Sequence, residues 1–442
     1  MVNRLRVLRN VLCATLAAAS VAPAVAFSAS DPMLADQWAL TDPQGVDASE
    51  AWTQTDGAGA LVAILDTGVQ LDHPDLRANI WTNPGEIAGN GVDDDKDGIV
   101  DDVHGANMFN LSGNVNDDHG HGTHVAGIVA ARRGNGIGGS GLAPAAQIMP
   151  VKVLDSTMSG TTDTLAMGIR YAVDRGAKIL NVSVNTDSAT DSVKSAVRYA
   201  GDHGAIIVAS AGNNGRNIDL SPSYPASLTD PAVLSVAASN PDGGLWNLSN
   251  TGLLSVDLAA PGDHIVSTAT GSAYQSRTGT SAAAPFVSAA LALLSSARPD
   301  LPMSDLQLAL EATTQRTSLL SSLLGGGRLD VGAALHRVLG ASWRAAAPAT
   351  TASTATATLR LSTRARTRAG RRVTLRWSTA GADLVTRWRV SLDGRTVANV
   401  PARSAGVSRR ISRRGRHTWR VVGFDAANAK VVSARKSFSV VR

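Results

Sequence analysis

Three segments of the chain carry residue types that together can perform nucleophilic catalysis. Asp66 ends an apolar run in VAILDTGVQLDHPDL, His121 lies in HGHGTHVAGIVAA, and Ser281 lies in GTSAAAPFVSAALALL. A serine hydroxyl is a weak nucleophile at neutral pH and needs an adjacent base. His121 would take the proton of Ser281 and later give it to the leaving amine. Asp66 would hold the imidazole in the right tautomer and stabilise its charged form.

Each of these residues alone also has a structural interpretation. Ser281 could be a helix cap, Asp66 a strand-end cap and His121 a satisfied core histidine. The three motifs together, in the order Asp, His, Ser, resemble the subtilisin family, or subtilases, over residues 31–339. The resemblance implies a serine endopeptidase that forms an acyl-enzyme. The Ala-rich sequence after Ser281 also predicts a helix whose positive end favours charge developing nearby.

The resemblance extends to residues that would bind the substrate. In IIVASAGNNG, Asn213 matches the amide that donates to the oxygen made negative during attack; a turn asparagine is the alternative. Extended peptides can bind as an added strand. The family segments that receive such a strand match Met158, Ser159, Gly160, Ser183, Val184 and Asn185. Asn185 replaces the usual glycine and is expected to narrow the first specificity pocket. Ser223 is expected at its bottom, which favours medium or large apolar side chains.

The acidic run NGVDDDKDGIVDD, over residues 90–102, predicts a cation site. Its carboxylates have the spacing of the first half of an EF-hand loop, which also places Gly98 sixth and the Ile99 carbonyl seventh. The predicted ligands are Asp93, Asp95 and Asp97, completed by Asp101 or Asp102. Clustered carboxylates with Lys96 as the only basic residue of the run favour a bound cation. A solvated acidic turn is the alternative. Subtilases with this insertion resemble calcium binders.

A second calcium site is implied by the resemblance alone. Asp75, Asn135 and the loop over residues 133–139 match a site common in the family, and Asp31 matches an N-terminal ligand of thermitase-like members. A carboxylate, an amide and carbonyls are the hard oxygen ligands that suit calcium.

The histidines of HGHGTH raise the question of zinc. His119 and His124 flank His121, but the sequence lacks the HExxH pattern of helical zinc-protease sites. The family position of His124 is a buried structural histidine. We therefore expect calcium rather than zinc.

The elements that must position these residues alternate between strands and helices. Apolar runs predict strands over residues 61–65, 148–154, 179–184, 206–209 and 233–237. Amphipathic patterns predict helices over residues 164–175 and 191–203. This alternation predicts an α/β fold, a parallel sheet with helices on both faces. Active sites of such folds gather at the carboxyl ends of strands, where Asp66 lies.

The C-terminal part of the chain has a different composition. Residues 343–358 are rich in Ala, Thr and Pro and predict a linker. Alternating patterns and the turn Asp393-Gly394 predict a small all-β sandwich over residues 359–442. Lys and Arg number 20 against 33 Asp and Glu up to residue 355, but 21 against 3 Asp from residue 356 onward. Two such halves indicate two domains with different roles.

The basic domain predicts an electrostatic tether to an anionic polymer or a cell surface. Its arginines form two clusters in the sequence. One contains Arg364, Arg366, Arg368, Arg371 and Arg372, and the other Arg409, Arg410, Arg413, Arg414 and Arg416. Docking onto the acidic protease domain and a merely solubilising surface are the alternatives.

The first 26 residues predict a signal peptide. Arg4, Arg6 and Arg9 precede an apolar run over residues 11–21 and the small residues of positions 24–26. A membrane anchor is the alternative, but the run is short for a bilayer span. We expect a secreted protein with a peptidase domain over residues 27–342 and no transmembrane helix. The single cysteine lies within the signal segment, so the mature chain would have no disulfide.

Two other functions compete with peptide hydrolysis. A non-catalytic adhesin on the same scaffold would be expected to have a broken triad or oxyanion residue, and none is broken here. A hydrolase of small esters would not need a long groove for an added strand.

Overall fold

The computed structural model describes residues 30–340, 358–363, 366–380, 387–393, 395–401, 406–424 and 430–441. The predicted signal peptide and all of the predicted linker except its last residue lie outside these ranges, as does Gly394 of the predicted turn. The predicted domain boundaries therefore stay predictions. The larger unit, residues 30–340, and the C-terminal unit, residues 358–441, are described separately.

The helices described in the larger unit lie before, between and after its strands along the chain. They are α1 (Trp38–Thr41), α2 (Ala48–Gln54), α3 (His121–Ala130), α4 (Thr162–Asp174), α5 (Asp191–Asp202), α6 (Thr280–Ala297), α7 (Met303–Ala312) and α8 (Val331–Leu339). Its strands are β1 (Leu61–Asp66), β2 (Ala106–Asn107), β3 (Gln147–Lys152), β4 (Ile179–Val182), β5 (Ile206–Ser210), β6 (Val233–Ser239), β7 (Leu258–Pro261), β8 (Ile265–Ala269), β9 (Ala273–Arg277), β10 (Gln315–Arg316) and β11 (Gly327–Arg328).

A nine-stranded sheet forms the centre of this unit, in the order β10-β11-β7-β6-β5-β4-β1-β3-β2. All neighbouring pairs are parallel except β10 and β11. The residues of β4, β5 and β6 are buried throughout, as expected for strands covered by helices on both faces. The predicted α/β class is confirmed. The carboxyl ends of β1, β4 and β5 lie side by side at one edge.

The two faces of the sheet have separate cores. Helix α6 runs through the first core, which also includes residues of α3, α7 and α8, and it is buried from Ala282 to Leu294. Helices α4 and α5 cover the other face. Among the described helices, α6 alone has the length and mean hydropathy, 1.4, of a membrane span, but 78% of it is buried inside the fold. The core position accounts for its apolar sequence.

Two predicted strands extended too far towards the cleft. β3 ends at Lys152 because the N–H groups of Val153 and Leu154 turn to the carbonyl of Asp66. β4 ends at Val182, and Ser183 already contacts the chain around Ser281. The predicted strands over residues 61–65 and 206–209 gain one residue each, and the strand predicted over 233–237 gains two.

The C-terminal unit consists of two packed sheets. Its strands are β12 (Thr358–Ser362), β13 (Arg366–Arg368), β14 (Arg372–Ala380), β15 (Arg387–Leu392), β16 (Arg395–Pro401), β17 (Gly406–Arg410), β18 (Gly415–Phe424) and β19 (Lys430–Val441). They form the sheets β12-β14-β17 and β13-β19-β18-β15-β16, antiparallel apart from the β13–β19 pair. Trp377 of the first sheet and Trp388 of the second pack with ring centroids 5.9 Å apart. The predicted all-β sandwich is confirmed.

Candidate active site

The predicted catalytic residues lie at the carboxyl edge of the central sheet. Asp66 is the last residue of β1, His121 is the first residue of α3, and Ser281 is the second residue of α6. Asn213 follows the end of β5 by three residues. His121, Asn213 and Ser281 line one cleft of about 490 Å³, with Asp66 buried behind His121.

Asp66 and His121 form a buried pair. Asp66 Oδ1 lies 2.7 Å from His121 Nδ1 and also accepts a hydrogen bond from the N–H of Thr67 at 2.8 Å. With Nδ1 donating to the carboxylate, Nε2 of a neutral imidazole is left as the base. Asp66 Oδ2 is buried and has no partner among the described residues. The carboxylate can therefore stabilise the positive charge that develops on His121 when it takes a proton.

A second buried carboxylate, Asp117, fixes the start of α3. It accepts hydrogen bonds from Thr67 Oγ1 at 2.8 Å, from Thr123 N and Oγ1 at 2.8 and 2.6 Å, and from two N–H groups of the preceding loop. Burial opposes its ionisation, but these donors hold the pKa of Asp117 below its usual value. Sequence reasoning missed this residue, although its place four residues before His121 suits a helix N-terminus.

Gly279 and Thr280 bring Ser281 and Asn213 together. A Cβ on Gly279 would lie 3.1 Å from Asn213 Nδ2 and 3.4 Å from Ser281 Oγ, and the φ of +154° at this position is one that residues with a side chain rarely adopt. Asn213 Oδ1 accepts hydrogen bonds from Thr280 N and Thr280 Oγ1, both at 2.8 Å. These bonds fix the amide so that its NH₂ group is left for the cleft. That is the orientation required of an oxyanion donor.

The walls of the cleft come from two segments beyond β3 and β4. The predicted substrate residues among its lining are Met158, Ser159, Gly160, Ser183, Val184 and Asn185. Ser183 Oγ donates to the carbonyl of Ser281 at 3.1 Å, which ties this wall to α6. Ser223 is only 1% exposed and is not among the residues found to line the cleft in the described part of the chain.

Comparison with known proteins decides the family. A model described as the subtilase family matches residues 57–340, more than half of the chain. The chain is a subtilase. It is 36% identical over 288 residues to thermitase from Thermoactinomyces vulgaris, which covers 65% of this chain and 92% of thermitase. The resemblance inferred from the three motifs is confirmed, and the subtilase is a serine-type endopeptidase.

Two further proteins resemble this subtilase. Halolysin from Haloferax mediterranei is 39% identical over 306 residues, which is 69% of this chain and 54% of halolysin, so the chain spans about half of that relative. A solved structure described as proteases from Pseudoalteromonas arctica matches with a TM-score of 0.59 and 28% identity, covering 70% of this chain and 98% of that one.

The other histidines of the HGHGTH motif are not joined into a metal cluster. His124 Nε2 lies 3.0 Å from the carbonyl of Ile265 and 3.2 Å from that of Gln275. Burial lowers the pKa of His124 to about 3, so it is neutral at physiological pH. His119 is exposed, with its ring centroid 6.4 Å from that of His121. In the described part of the subtilase, the side-chain groups that are close enough together to hold a metal ion consist of carboxylates and include no histidine.

The acidic loop of the subtilase folds into two overlapping carboxylate groups. One group contains Glu86, Asp95 and Asp102, and the other Asp93, Asp95 and Asp97. Glu86 Oε2 and Asp95 Oδ1 are buried without a hydrogen-bond partner among the described residues. Burial raises the pKa of Asp102 to about 6. Partnerless buried carboxylate oxygens fit a hard cation such as calcium.

Sequence reasoning missed two members of this site because they come from outside the acidic run. Glu86 precedes the run, and Arg175, at the end of α4, forms ion pairs with Asp95 and, at 3.2 Å, with Asp97. Arg175 therefore adds positive charge to a run whose own sequence contains only Lys96 as a basic residue. Asp101 lies in neither group, since its carboxylate accepts hydrogen bonds from the N–H groups of Gly89 and Gly91.

The second predicted calcium site has a different donor arrangement. Asp31 accepts hydrogen bonds from three N–H groups of residues 134–136, and Asp75 Oδ1 accepts one from Asn135 Nδ2 at 2.6 Å. Burial raises the pKa of Asp75 to about 6. Asn135 directs its NH₂ group at Asp75, whereas a calcium ligand must present an oxygen. The Asn135 amide would therefore have to rotate to bind calcium. The loop over residues 86–102 therefore fits calcium better in this structure.

Proposed function

We propose that this subtilase is a secreted endopeptidase in which Ser281 attacks the peptide carbonyl, with His121 as the base and Asp66 as its orienting carboxylate. The observation that carries the proposal is the 2.7 Å contact between Asp66 and His121, beside a cleft that also contains Ser281. Asn213 would donate to the oxygen of the tetrahedral intermediate. The N-terminus of α6 adds a favourable potential for that negative charge.

The proposed reaction has two halves. His121 Nε2 takes the proton of Ser281 Oγ as the hydroxyl oxygen bonds to the carbonyl carbon. The imidazolium then protonates the leaving amine, the C–N bond breaks, and an acyl-enzyme remains. Water repeats the sequence with the same base, and the carboxylic acid product leaves Ser281 free. Asp66 orients His121 in both halves and stabilises the imidazolium.

The proposed substrates are polypeptides bound in an extended conformation. Residues 158–160 and 183–185 both line the cleft, and a peptide bound there could bond to both segments as an added strand. Two such segments along one cleft favour extended peptides over small esters. A scaffold that only binds would not need Asn213 fixed by two hydrogen bonds with its NH₂ group left for the cleft.

Single substitutions test the proposed roles. Ser281→Ala and His121→Ala should each abolish casein hydrolysis, and the double variant should be little worse because triad members act as a unit. His119→Ala is the matched control, since His119 is an exposed histidine outside the cleft lining. It should retain activity. Substantial residual hydrolysis by purified Ser281→Ala would exclude this mechanism, and a wild-type chain that binds casein without cleaving it would support the adhesin.

Export is proposed from the sequence of residues 1–26. N-terminal sequencing of the protein secreted by its host should begin at Phe27. An unprocessed N-terminus on a cell-associated protein would indicate the membrane anchor instead.

Calcium is proposed as a structural ion rather than a participant in hydrolysis. Glu86, Asp95 and Asp102 would hold it, and Asp75 and Asn135 offer a weaker site. The ion would compensate the buried carboxylates, which the unfolded chain exposes to water. A ligand that binds only the folded state stabilises it by mass action, about 2.7 kcal/mol at a hundred times its dissociation constant.

The C-terminal unit is proposed to tether the enzyme to an anionic polymer. Strands β14 and β17 pair Arg372 with Arg410, which joins the two arginine clusters of the sequence into one basic surface. Its exposed members are Arg368, Arg371, Arg372, Arg409, Arg410, Arg413, Arg414 and Arg416. Within the described ranges, none of them takes part in an ion pair given by the structure. The charge of this surface is therefore directed at solvent.

Salt dependence tests the tether. The full chain carrying Ser281→Ala should bind a polyanion-coated resin at low salt and elute from it at a salt concentration near 1 M. Salt screens the attraction, because the Debye length falls from about 10 Å at 0.1 M to about 3 Å at 1 M. Replacing Arg409, Arg410, Arg413 and Arg414 by glutamine should weaken retention, while hydrolysis of a small peptide by the active chain stays unchanged. Equal retention of both proteins would contradict the tether.

A further inference from the structure

The carbonyl that Ser281 attacks belongs to a residue whose side chain must occupy the space beside Asn213. Asn213 follows β5, and the cleft wall formed by Ser183, Val184 and Asn185 follows β4. These strands are neighbours, with Val182 opposite Ala209. The acyl-side residue of a substrate therefore lies over the gap between the two strand extensions. The width of this gap limits the size of that residue.

The side chain of Asn185 closes this gap. Its Nδ2 donates to the carbonyl of Ser210 at 2.7 Å, and Ser210 Oγ donates to Asn185 Oδ1 at 3.3 Å. The two bonds cross from the extension of β4 to the last residue of β5. Asn185 also lines the cleft, so a bound substrate meets this side chain.

The backbone on either side holds Asn185 in place. Thr186 and Tyr224 exchange two backbone hydrogen bonds, at 2.9 and 2.8 Å, so the chain cannot swing outward directly after Asn185. The bonded carbonyl of Ser210 is part of β5, a fully buried strand. A large substrate side chain would have to break the amide contact and leave a buried carbonyl without its donor, which is costly.

Ser223 is not among the described residues that line the cleft. Ser223, adjacent to Tyr224, is 1% exposed, and its Oγ lies 3.3 Å from the point that a Cβ on Gly212 would occupy. Gly212 directly precedes Asn213, so Ser223 lies behind the oxyanion turn.

We propose that Asn185 is a specificity-determining residue that restricts the enzyme to polypeptides with a small residue, Gly, Ala or Ser, at the acyl side of the cleaved bond. This inference rests on the proposed function, because it assumes acyl transfer to Ser281. It reverses the expectation that Ser223 forms the bottom of a pocket for medium or large apolar side chains. A methyl or hydroxymethyl side chain would leave the bonds between Asn185 and Ser210 in place, whereas a phenyl ring would have to displace the amide.

Paired p-nitroanilide peptides test the proposal on the full chain. The substrates Ala-Ala-Pro-Ala and Ala-Ala-Pro-Phe differ only in the residue that supplies the scissile carbonyl. The wild-type enzyme should have a higher kcat/KM for the alanine substrate. Asn185→Gly should raise kcat/KM for the phenylalanine substrate at least about tenfold, the usual effect of space for apolar groups in a pocket, and change the alanine substrate by less than about threefold.

Two further variants keep the test decisive. Asn185→Ala removes the same amide but gives the backbone less conformational freedom than Asn185→Gly does. It should also raise kcat/KM for the phenylalanine substrate relative to the alanine substrate. Asn110→Gly is the matched control, an exposed asparagine outside the cleft lining, and it should leave both rates unchanged.

The outcomes separate this proposal from the proposed function. A wild-type preference for phenylalanine, or an unchanged preference in both Asn185 variants, overturns the role of Asn185 while the protease assignment stands. If the Asn185 variants lose kcat/KM equally on both substrates, Asn185 only supports the fold, and this result also overturns the proposal. Hydrolysis of neither substrate, with no reaction of Ser281 towards a fluorophosphonate, overturns the proposed function and this inference with it.

Discussion

The hydroxyl of Thr280 should affect catalysis only through Asn213, and a double-mutant cycle can show it. Thr280 is fully buried, and its Oγ1 both donates to Asn213 Oδ1 at 2.8 Å and accepts from Gly212 N at 3.0 Å. Thr280→Val removes these two bonds and retains the shape of the side chain. Asn213→Ala removes the proposed oxyanion donor itself, and its exposed position makes a large cost in stability unexpected.

The expected magnitudes follow from the hydrogen bonds involved. Loss of the corresponding donor in subtilisin, a relative, costs about 100- to 1000-fold in kcat, and we expect a loss of that order for Asn213→Ala. Thr280→Val leaves one of the two bonds that orient the amide. A neutral hydrogen bond contributes about 1 kcal/mol, so kcat should fall about five- to tenfold. The unpartnered N–H of Gly212 should also lower the free energy of unfolding by about 1–3 kcal/mol.

Steady-state kinetics on one peptide substrate provide the assay. Both substitutions should lower kcat with little change in KM, because the lost interaction exists only in the transition state. In the Asn213→Ala background, Thr280→Val should lower kcat by less than about twofold, since the group through which it acts is gone. Fully additive losses, or an effect on KM alone, would refute the proposed path from Thr280 through Asn213.

Three other predictions follow from the buried carboxylates. Asp66→Asn should lower kcat by about 10⁴-fold without loss of fold, because the amide favours the wrong tautomer of His121; a loss below tenfold in a pH-rate study would argue against the orienting role. In the Ser281→Ala background, which prevents autolysis, EDTA should lower Tm and calcium should restore it. Asp95→Asn should remove more of this effect than Asp75→Asn, and a calorimetric scan unchanged by EDTA would contradict both sites. Partial burial raises the pKa of Asp257 and of its neighbour Glu311, and the charge of Glu311 raises the pKa of Asp257 further. Because the folded state then holds protons more tightly than the unfolded state, stability should fall as pH rises through the raised pKa values. Glu311→Gln should flatten this fall between pH 5 and 9 in urea titrations, and an unchanged slope would show that the pair is not responsible.

The proposed catalytic residues could be selected from the sequence because each lies in a short local motif. Asp66 follows an apolar strand and Ser281 begins an Ala-rich helix, so their types and neighbours are read directly along the chain. The residues that hold them were not predictable in the same way. Thr280 orients Asn213 across 67 positions, and Thr67 reaches Asp117 across 50, which only the folded chain brings together.

Charge patterns were even more dependent on tertiary structure. In the sequence, Lys96 is the only basic residue of the acidic run. In the fold, Arg175 at the end of α4 forms ion pairs with two of its carboxylates. The two arginine clusters became one surface because β14 pairs with β17. Ser223 is 1% exposed and is not among the described residues that line the cleft, so its role at the bottom of the first specificity pocket stays a prediction.

Covalent labelling tests the catalytic assignment most directly. A fluorophosphonate reacts with a serine hydroxyl only when a neighbouring base activates it, so mass spectrometry of the labelled chain reports the nucleophile. We predict a single adduct on Ser281, lost in Ser281→Ala and strongly reduced in His121→Ala but retained in His119→Ala. An adduct on another serine, or equal labelling of Ser281 with His121 replaced, would contradict the catalytic site described for this subtilase.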